Sequence, residues 1–245
     1  MKKSRENSAN QLFRYRGQIP AVLVFMAILV IYHNHTITFF EESFGRNIHL
    51  LLVIFFIFSG HIVRALAIGF RGIHTSGQNR HEQVAEVLNT TGLYSLVRHP
   101  LYAGNFLIWI GVFIWLGDLW FLFFGSMFFF TLYIPIMRLE NNYLNQKFGT
   151  KYTEWAKETP LFVPKIQRIK RPENRFSTLL VWKNEYPGIV STLSCIWFIS
   201  FLRLIFINGK IIFSIPLLGL ALFILAFGLT SRFLKYKTDF FPKFG

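Results

Sequence analysis

Long uninterrupted apolar runs constrain this chain more than any other feature of its sequence. Several of the runs approach the roughly 20 residues that a helix needs to cross the hydrocarbon core of a bilayer. The apolar residues of a soluble core recur instead at helical or strand spacing. The chain of 245 residues is 53% hydrophobic and only 16% charged, which is more apolar than an ordinary globular domain. We therefore predict a membrane protein.

The apolar runs predict an all-α fold, a polytopic membrane helix bundle of about six transmembrane helices in three hairpins. The short polar loops 117–118 and 208–210 leave room only for tight turns, which makes the flanking helices antiparallel neighbours. The first run is expected to remain as a helix, because a long basic head precedes it and no small-residue cleavage site follows. The predicted spans cover about 19–32, 48–70, 101–116, 119–137, 188–207 and 211–230.

The distribution of Lys and Arg predicts the orientation of the bundle. The head 1–18, the segment 138–187 and the tail from Arg232 are rich in these residues, whereas the hairpin tips hold only Arg46 and Lys210. The positive-inside rule then places both termini in the cytoplasm. The formal net charge of +14 would face anionic lipid headgroups. Because the basic residues adjoin the apolar runs, we expect no nucleic-acid partner.

Three parts of the chain follow from this organisation. Residues 1–73 hold the basic head and the first hairpin, residues 74–165 hold the polar segments and the second hairpin, and residues 166–245 hold a basic linker, the last hairpin and a basic tail. The single cysteine, Cys195, lies inside an apolar run, so a disulfide framework is excluded. His33, His35 and His49 lie near the first hairpin tip, and we expect them to be solvated and to bind no metal.

Two polar stretches, 74–100 and 138–165, interrupt the hydropathy pattern and carry the candidate chemistry. Pro100 suits the first turn of a helix, which places Arg98 and His99 at a helix N-terminus. Free N–H groups and a partial positive charge at that position favour a carboxylate or a phosphate. The alternative is that Arg98 reaches lipid headgroups and His99 fills an interfacial position.

The second stretch is predicted to continue the fourth helix beyond its apolar run, with Arg138, Glu140 and Asn141 just past the run. An acid at membrane depth is costly unless it is paired or used, so Glu140 is a functional candidate. A plain salt bridge between Arg138 and Glu140 is the alternative. His61 and Arg64 lie one turn apart on the second helix and are expected to face the same interior surface. There they either close a pocket or bind a headgroup.

Together the two stretches resemble the membrane methyltransferases typified by isoprenylcysteine carboxyl methyltransferase and phospholipid methyltransferases. The resemblance covers about residues 75–165 and implies S-adenosylmethionine as cofactor, bound in a cytoplasm-facing pocket formed by both motifs. The Gly-rich loop of soluble methyltransferases has no counterpart here. The residues that carry the resemblance are Thr91-Gly92-Leu93-Tyr94, Arg98-His99-Pro100-Leu101-Tyr102-Ala103-Gly104, Glu140, Leu144, Phe148-Gly149, Tyr152, Trp155 and Pro164.

The resemblance also implies roles for individual residues. Arg98, Arg138 and Glu140 would be catalytic, with Arg138 orienting an anionic acceptor. A sulfonium cation that carries an ammonium and a carboxylate favours an acid, a hydrogen-bond donor and an aromatic wall. The implied cofactor-binding residues are Tyr94, His99, Pro100, Tyr102, Gly104 and Glu140.

One departure bears on the acceptor, because relatives commonly carry two adjacent acids and this chain has Glu140 followed by Asn141. An anionic oxygen is already an unprotonated nucleophile and needs no second carboxylate as base. The stretches HTSGQN and KETPLFVP resemble a bacterial branch that includes a lipid A 1-phosphate methyltransferase. We therefore expect an anionic membrane lipid, first the 1-phosphate of lipid A, and a bacterial inner membrane. A phospholipid headgroup or a prenylcysteine carboxylate ranks behind it.

Two other classes of protein remain as alternatives. Membrane sterol and enone reductases, which use NADPH, resemble the same RHP-containing region, but they place it near the end of the chain, whereas two apolar runs follow it here. A small transporter would typically show interrupted spans in two corresponding halves, and the sequence lacks them.

Overall fold

The computed structural model describes residues 20–33, 43–71, 86–165 and 169–237. All regular elements within these ranges are helices, which confirms the predicted all-α class. A short 3-10 turn, Gly92–Ser95, precedes the third helix. The helices are α1 (Pro20–His33), α2 (Ser43–Gly69), α3 (Pro100–Leu116), α4 (Leu119–Phe148), α5 (Thr150–Glu158), α6 (Thr178–Asn208) and α7 (Ile215–Lys237).

Four of these helices are long and apolar enough to cross a membrane: α2 from Gly45, α4, α6 and α7. The helices α1 and α3 are apolar but shorter. Many large apolar side chains point outward from the bundle, as expected where lipid replaces water; examples are Leu51, Phe55, Phe124, Leu222 and Leu229. The chain therefore has the character of a multi-pass membrane protein. The six crossings and the orientation stay predictions.

The predicted turn at 117–118 is confirmed, whereas the turn predicted at 208–210 is longer, because α7 begins at Ile215 instead of residue 211. Gly117 ends α3 with a φ of +73°, and the carboxylate of Asp118 caps α4 by accepting a hydrogen bond from the Phe121 amide at 2.6 Å. Gly209 ends α6 with a φ of +65°. Glycine reaches such left-handed conformations without a steric cost. Each turn joins antiparallel neighbours, α3 with α4 and α6 with α7.

The predicted start of the fifth span at residue 188 was wrong. Helix α6 begins at Thr178, where the Ser177 hydroxyl accepts a hydrogen bond from the Leu180 amide at 3.2 Å. The helix therefore begins ten residues earlier than predicted, and its N-terminal part is polar and contains Glu185. Hydropathy alone missed this part, because polar residues at the end of a helix lower the apolar signal.

Helix α3 lies at the centre of the bundle and packs closely against α2. A Cβ atom built on Gly60 would lie 2.6 Å from the carbonyl oxygen of Gly104, and one built on Gly111 would lie 3.1 Å from the amide nitrogen of Ile57. Small residues allow helix backbones in a membrane to approach in this way. On another side of α3, Tyr102 joins a core cluster with residues of α4, namely Phe129, Tyr133, Ile136 and Met137.

The crossing of α2 and α3 gives a first prediction. Gly60→Ala places a methyl group against the backbone of α3, so we expect it to lower the free energy of unfolding by roughly 1–3 kcal/mol. Gly219→Ala is the matched control, because Gly219 lies in α7 with no atom within 4 Å of a built Cβ. Thermal unfolding in detergent should show a lower melting temperature for the first variant and no decrease for the second. Equal melting temperatures would contradict the close crossing.

Candidate functional site

The two polar stretches of the sequence lie against each other through their backbones. The amide of Arg98 donates to the carbonyl of Pro160 at 2.9 Å, and the amide of Lys165 donates to the carbonyl of Leu96 at 3.0 Å. The indole Nε1 of Trp155 donates to the carbonyl of Tyr94 at 3.0 Å. These bonds fix the segment before α3 against α5 and the chain that follows it. A buried cluster supports the contact, formed by Leu88, Leu144, Tyr152 and Trp155.

Four side chains from the start of α3 and the middle of α4 form what we call the polar cup: His99, Tyr102, Glu140 and Asn141. The Tyr102 hydroxyl donates to Glu140 Oε1 at 2.7 Å. Nδ1 of His99 lies 3.4 Å from Glu140 Oε2, and Nε2 of His99 lies 3.0 Å from Asn141 Oδ1. His99 is only 6% exposed and Glu140 is 19% exposed. The structure therefore brings together residues that lie about 40 positions apart in the sequence.

The polar cup holds its carboxylate in a fixed orientation. The two ring nitrogens of His99 face different oxygens, Nδ1 toward Glu140 and Nε2 toward Asn141. The two carboxylate oxygens of Glu140 then face different donors, His99 and Tyr102. Restrained on both sides, the carboxylate presents a defined negative charge beside the start of α3.

Aromatic rings border the polar cup. The ring of Tyr102 lies 5.6 Å from the His99 ring and 5.2 Å from the ring of Tyr133, measured between centroids. Aromatic faces attract cations, and a carboxylate strengthens that attraction. The arrangement suits a positively charged group, such as a sulfonium or an ammonium.

Arg98 and Arg138 are not among the side chains that form the polar cup. The guanidinium of Arg98 donates from Nε to the carbonyl of Thr159 at 2.7 Å and from Nη2 to the carbonyl of Ala156 at 2.9 Å. It thereby holds the C-terminal end of α5. Arg138 is exposed, and residues two positions apart in a helix do not face each other. The catalytic roles of Arg98 and Arg138 therefore stay predictions.

The other predicted site residues lie around the start of α3. Pro100 is buried in the first turn, as expected. Gly104 faces α2, where a Cβ atom would lie 2.8 Å from the carbonyl oxygen of Gly60, so its role in the structure is packing. Burial raises the pKa of Tyr94 to about 12, although the positive charge of Arg71 acts in the opposite direction. Tyr94 is therefore a neutral hydroxyl at physiological pH.

The sequence analysis missed Glu185, a residue of α6 that is 2% exposed and binds Arg64 of α2. Nε of Arg64 donates to Glu185 Oε2 at 2.9 Å, and Nη2 donates to Oε1 at 2.5 Å. Nη1 of Arg64 donates to Asn105 Oδ1 at 2.5 Å. His61 contributes Nδ1 at 3.5 Å from Glu185 Oε2. The available signal was the pair His61 and Arg64 in an apolar run, because such residues require an interior partner.

No three His, Cys, Asp or Glu side chains within the described ranges lie close enough together to hold a metal ion. His49 differs from its prediction, because it lies inside α2 and is buried at 4% exposure instead of being solvated. His35 lies outside the described residues.

Comparison with known proteins places the polar cup in a recognised region. Residues 49–151 match the family model of phospholipid methyltransferase. The matched region begins in α2 and contains the whole of the polar cup, which supports a membrane methyltransferase domain in the middle of the chain.

A curated relative is the nickel-cobalt-cadmium resistance protein NccN of Alcaligenes xylosoxydans xylosoxydans. It is 27% identical over 128 residues, which cover 52% of this chain and 54% of the relative. The chain therefore spans about half the length of this relative. No solved structure matches the chain significantly.

The contacts of Arg98 give a second prediction. Arg98→Gln removes charge-assisted hydrogen bonds to two carbonyls, so we expect it to lower the free energy of unfolding by roughly 1–3 kcal/mol. Arg138→Gln changes an exposed residue, and its effect should stay within about 0.5 kcal/mol. Thermal unfolding of both variants in detergent checks the difference. Unchanged stability of Arg98→Gln would show that its guanidinium is not held by α5.

Proposed function

We propose that this chain is an integral-membrane methyltransferase that uses S-adenosylmethionine and methylates an anionic group of a membrane lipid. The observation that carries the proposal is the polar cup, a carboxylate oriented by His99 and Tyr102 at the start of α3. It lies within the region that matches the phospholipid methyltransferase family. The proposal also places this end of the bundle at the cytoplasmic face of a bacterial inner membrane.

The residues of the polar cup fit the cofactor. S-adenosylmethionine supplies a methyl group activated by a sulfonium. Glu140 would attract a cationic part of this molecule, and the rings of Tyr102 and Tyr133 would border it. His99 and Tyr102 contact Glu140 directly and hold its carboxylate in place. We assign to Tyr94 and Pro100 the role of shaping the site around the polar cup.

If the acceptor is an anionic oxygen, the reaction requires no general base from this chain. Such an oxygen is unprotonated and attacks without a general base. Asn141 stands where a second acid would otherwise lie, and its amide is engaged with His99. The acceleration would then come from alignment of the acceptor and from exclusion of water.

Among anionic lipids we propose the 1-phosphate of lipid A as the first acceptor. Support for this choice comes from the resemblance of the stretches around 74–79 and 157–164 to the bacterial branch described above. A phospholipid headgroup and a prenylcysteine carboxylate are the next candidates, since each offers an anionic oxygen at the membrane surface.

Cofactor binding gives the third prediction. We expect Glu140→Gln to weaken binding of S-adenosylhomocysteine by about tenfold or more, because the loss of a charged hydrogen-bond partner costs roughly 1.5–3 kcal/mol. Glu154→Gln, on the exposed face of α5, is the control and should bind like the unaltered protein. Calorimetry in detergent measures both. Binding of NADPH in place of S-adenosylhomocysteine would contradict the proposal and favour the reductase class.

The acceptor gives the fourth prediction. Membranes that contain the protein and receive S-adenosylmethionine with a tritiated methyl group should show label in lipid A. Membranes with the Glu140→Gln variant should show little label. Mass spectrometry should locate one added methylene, about 14 Da, at the 1-phosphate. Label in protein, with none in lipid A, would remove the first acceptor and favour a prenylcysteine carboxylate. Label in choline-type lipids would show transfer to an amine nitrogen and would contradict the anionic acceptor.

A further inference from the structure

A buried arginine, Arg71, lies directly beyond the end of α2 and has no role in the site described so far. It is 7% exposed, and its Nε has no hydrogen-bond partner within the described ranges. A guanidinium carries five N–H donors and stays charged in proteins. Buried donors are ordinarily hydrogen-bonded, so the Nε–H of Arg71 calls for an explanation.

The charges near Arg71 within the described ranges act on it in opposite directions. Burial lowers its pKa, Tyr94 and Glu185 act in the opposite direction, and Arg64 lowers it further. The carboxylate of Glu185 is already bound by Arg64 through both of its oxygens. Among the residues that the structure describes, the carboxylate that acts on Arg71 is therefore already paired with another guanidinium.

The position of Arg71 relates it to the polar cup through Tyr94. The turn Gly92–Ser95, which carries Tyr94, contacts α2, and Tyr94 packs against the cluster that contains Leu144, one turn beyond Glu140 in α4. The backbone of Tyr94 is fixed by Trp155 and by the turn Gly92–Ser95. A molecule next to Tyr94 would meet a carboxylate on the side of Glu140 and a guanidinium on the side of Arg71.

We propose that Arg71 binds an anionic oxygen group, a carboxylate or a phosphate, of a molecule held next to the polar cup. A guanidinium matches the paired oxygens of either group in a bidentate geometry. The inference rests on the proposed function and adds to it the residue that Arg98 and Arg138 were expected to supply. The group belongs either to the amino-acid part of the cofactor or to the lipid acceptor.

Calorimetry in detergent tests the fifth prediction with two variants, Arg71→Gln and Arg71→Lys, and with Arg175→Gln as an exposed control. The probes are S-adenosylhomocysteine, 5′-deoxy-5′-methylthioadenosine, which lacks the amino-acid part, and a short-chain phosphatidic acid. If the anion is the cofactor's carboxylate, Arg71→Gln weakens S-adenosylhomocysteine about tenfold and leaves methylthioadenosine unchanged. If it is the lipid's phosphate, the same variant weakens phosphatidic acid about tenfold and leaves both nucleosides unchanged.

Arg71→Lys keeps the charge but loses the bidentate geometry, so we expect a smaller loss for the same probe. If the Arg71→Gln protein does not fold, the Arg71→Lys protein is measured in its place. Unchanged affinity of Arg71→Lys and of a folded Arg71→Gln for all three probes would overturn the inference, as would an equal loss for the Arg175→Gln control. If the unaltered protein bound neither nucleoside, the proposed function would fail, and the phosphatidic acid measurement would still decide the role of Arg71.

Discussion

The first turn of α3 places polar side chains at the end of an apolar bundle, and the pairing of these side chains governs the rest of the site. Unpaired polar groups are costly away from water, so His99 and Tyr102 need partners. Helix α4 supplies them with Glu140 and Asn141. The close crossing at Gly60 sets the depth of α3, and the backbone contacts of Arg98 hold the chain before it. Packing and polar pairing thus define one geometry.

Helix α6 lies beyond the region of the family match, which ends at residue 151, and it is connected to the site through α2. Its Glu185 binds Arg64 of α2, and Arg64 in turn binds Asn105, one turn beyond Tyr102 in α3. Breaking one side of a buried pair leaves an uncompensated charge, so these contacts couple the last hairpin to the site. The C-terminal part of the chain therefore helps to position α3.

Sequence patterns predicted the parts of the structure that depend on local chemistry. Gly117 and Gly209 marked turns, Pro100 marked a helix start, and Glu140 stood out as an acid next to an apolar run. The contacts of Arg98, the burial of Arg71 and the partner of Arg64 depend on which helices become neighbours. Hydropathy does not specify that choice. Glu185 lay in the predicted linker, in a part of α6 that the apolar signal did not recognise as helix.

The central claim is that the start of α3 and the middle of α4 form one site in the membrane-embedded protein. Its most direct test is chemical cross-linking of a variant with His99→Cys and Glu140→Cys in a Cys195→Ala background, treated in native membranes with a short bifunctional thiol reagent. The account predicts an intramolecular cross-link between positions 99 and 140, detected by mass spectrometry of the digested protein. Absence of the cross-link, although each thiol alone reacts with a monofunctional form of the reagent, would contradict it.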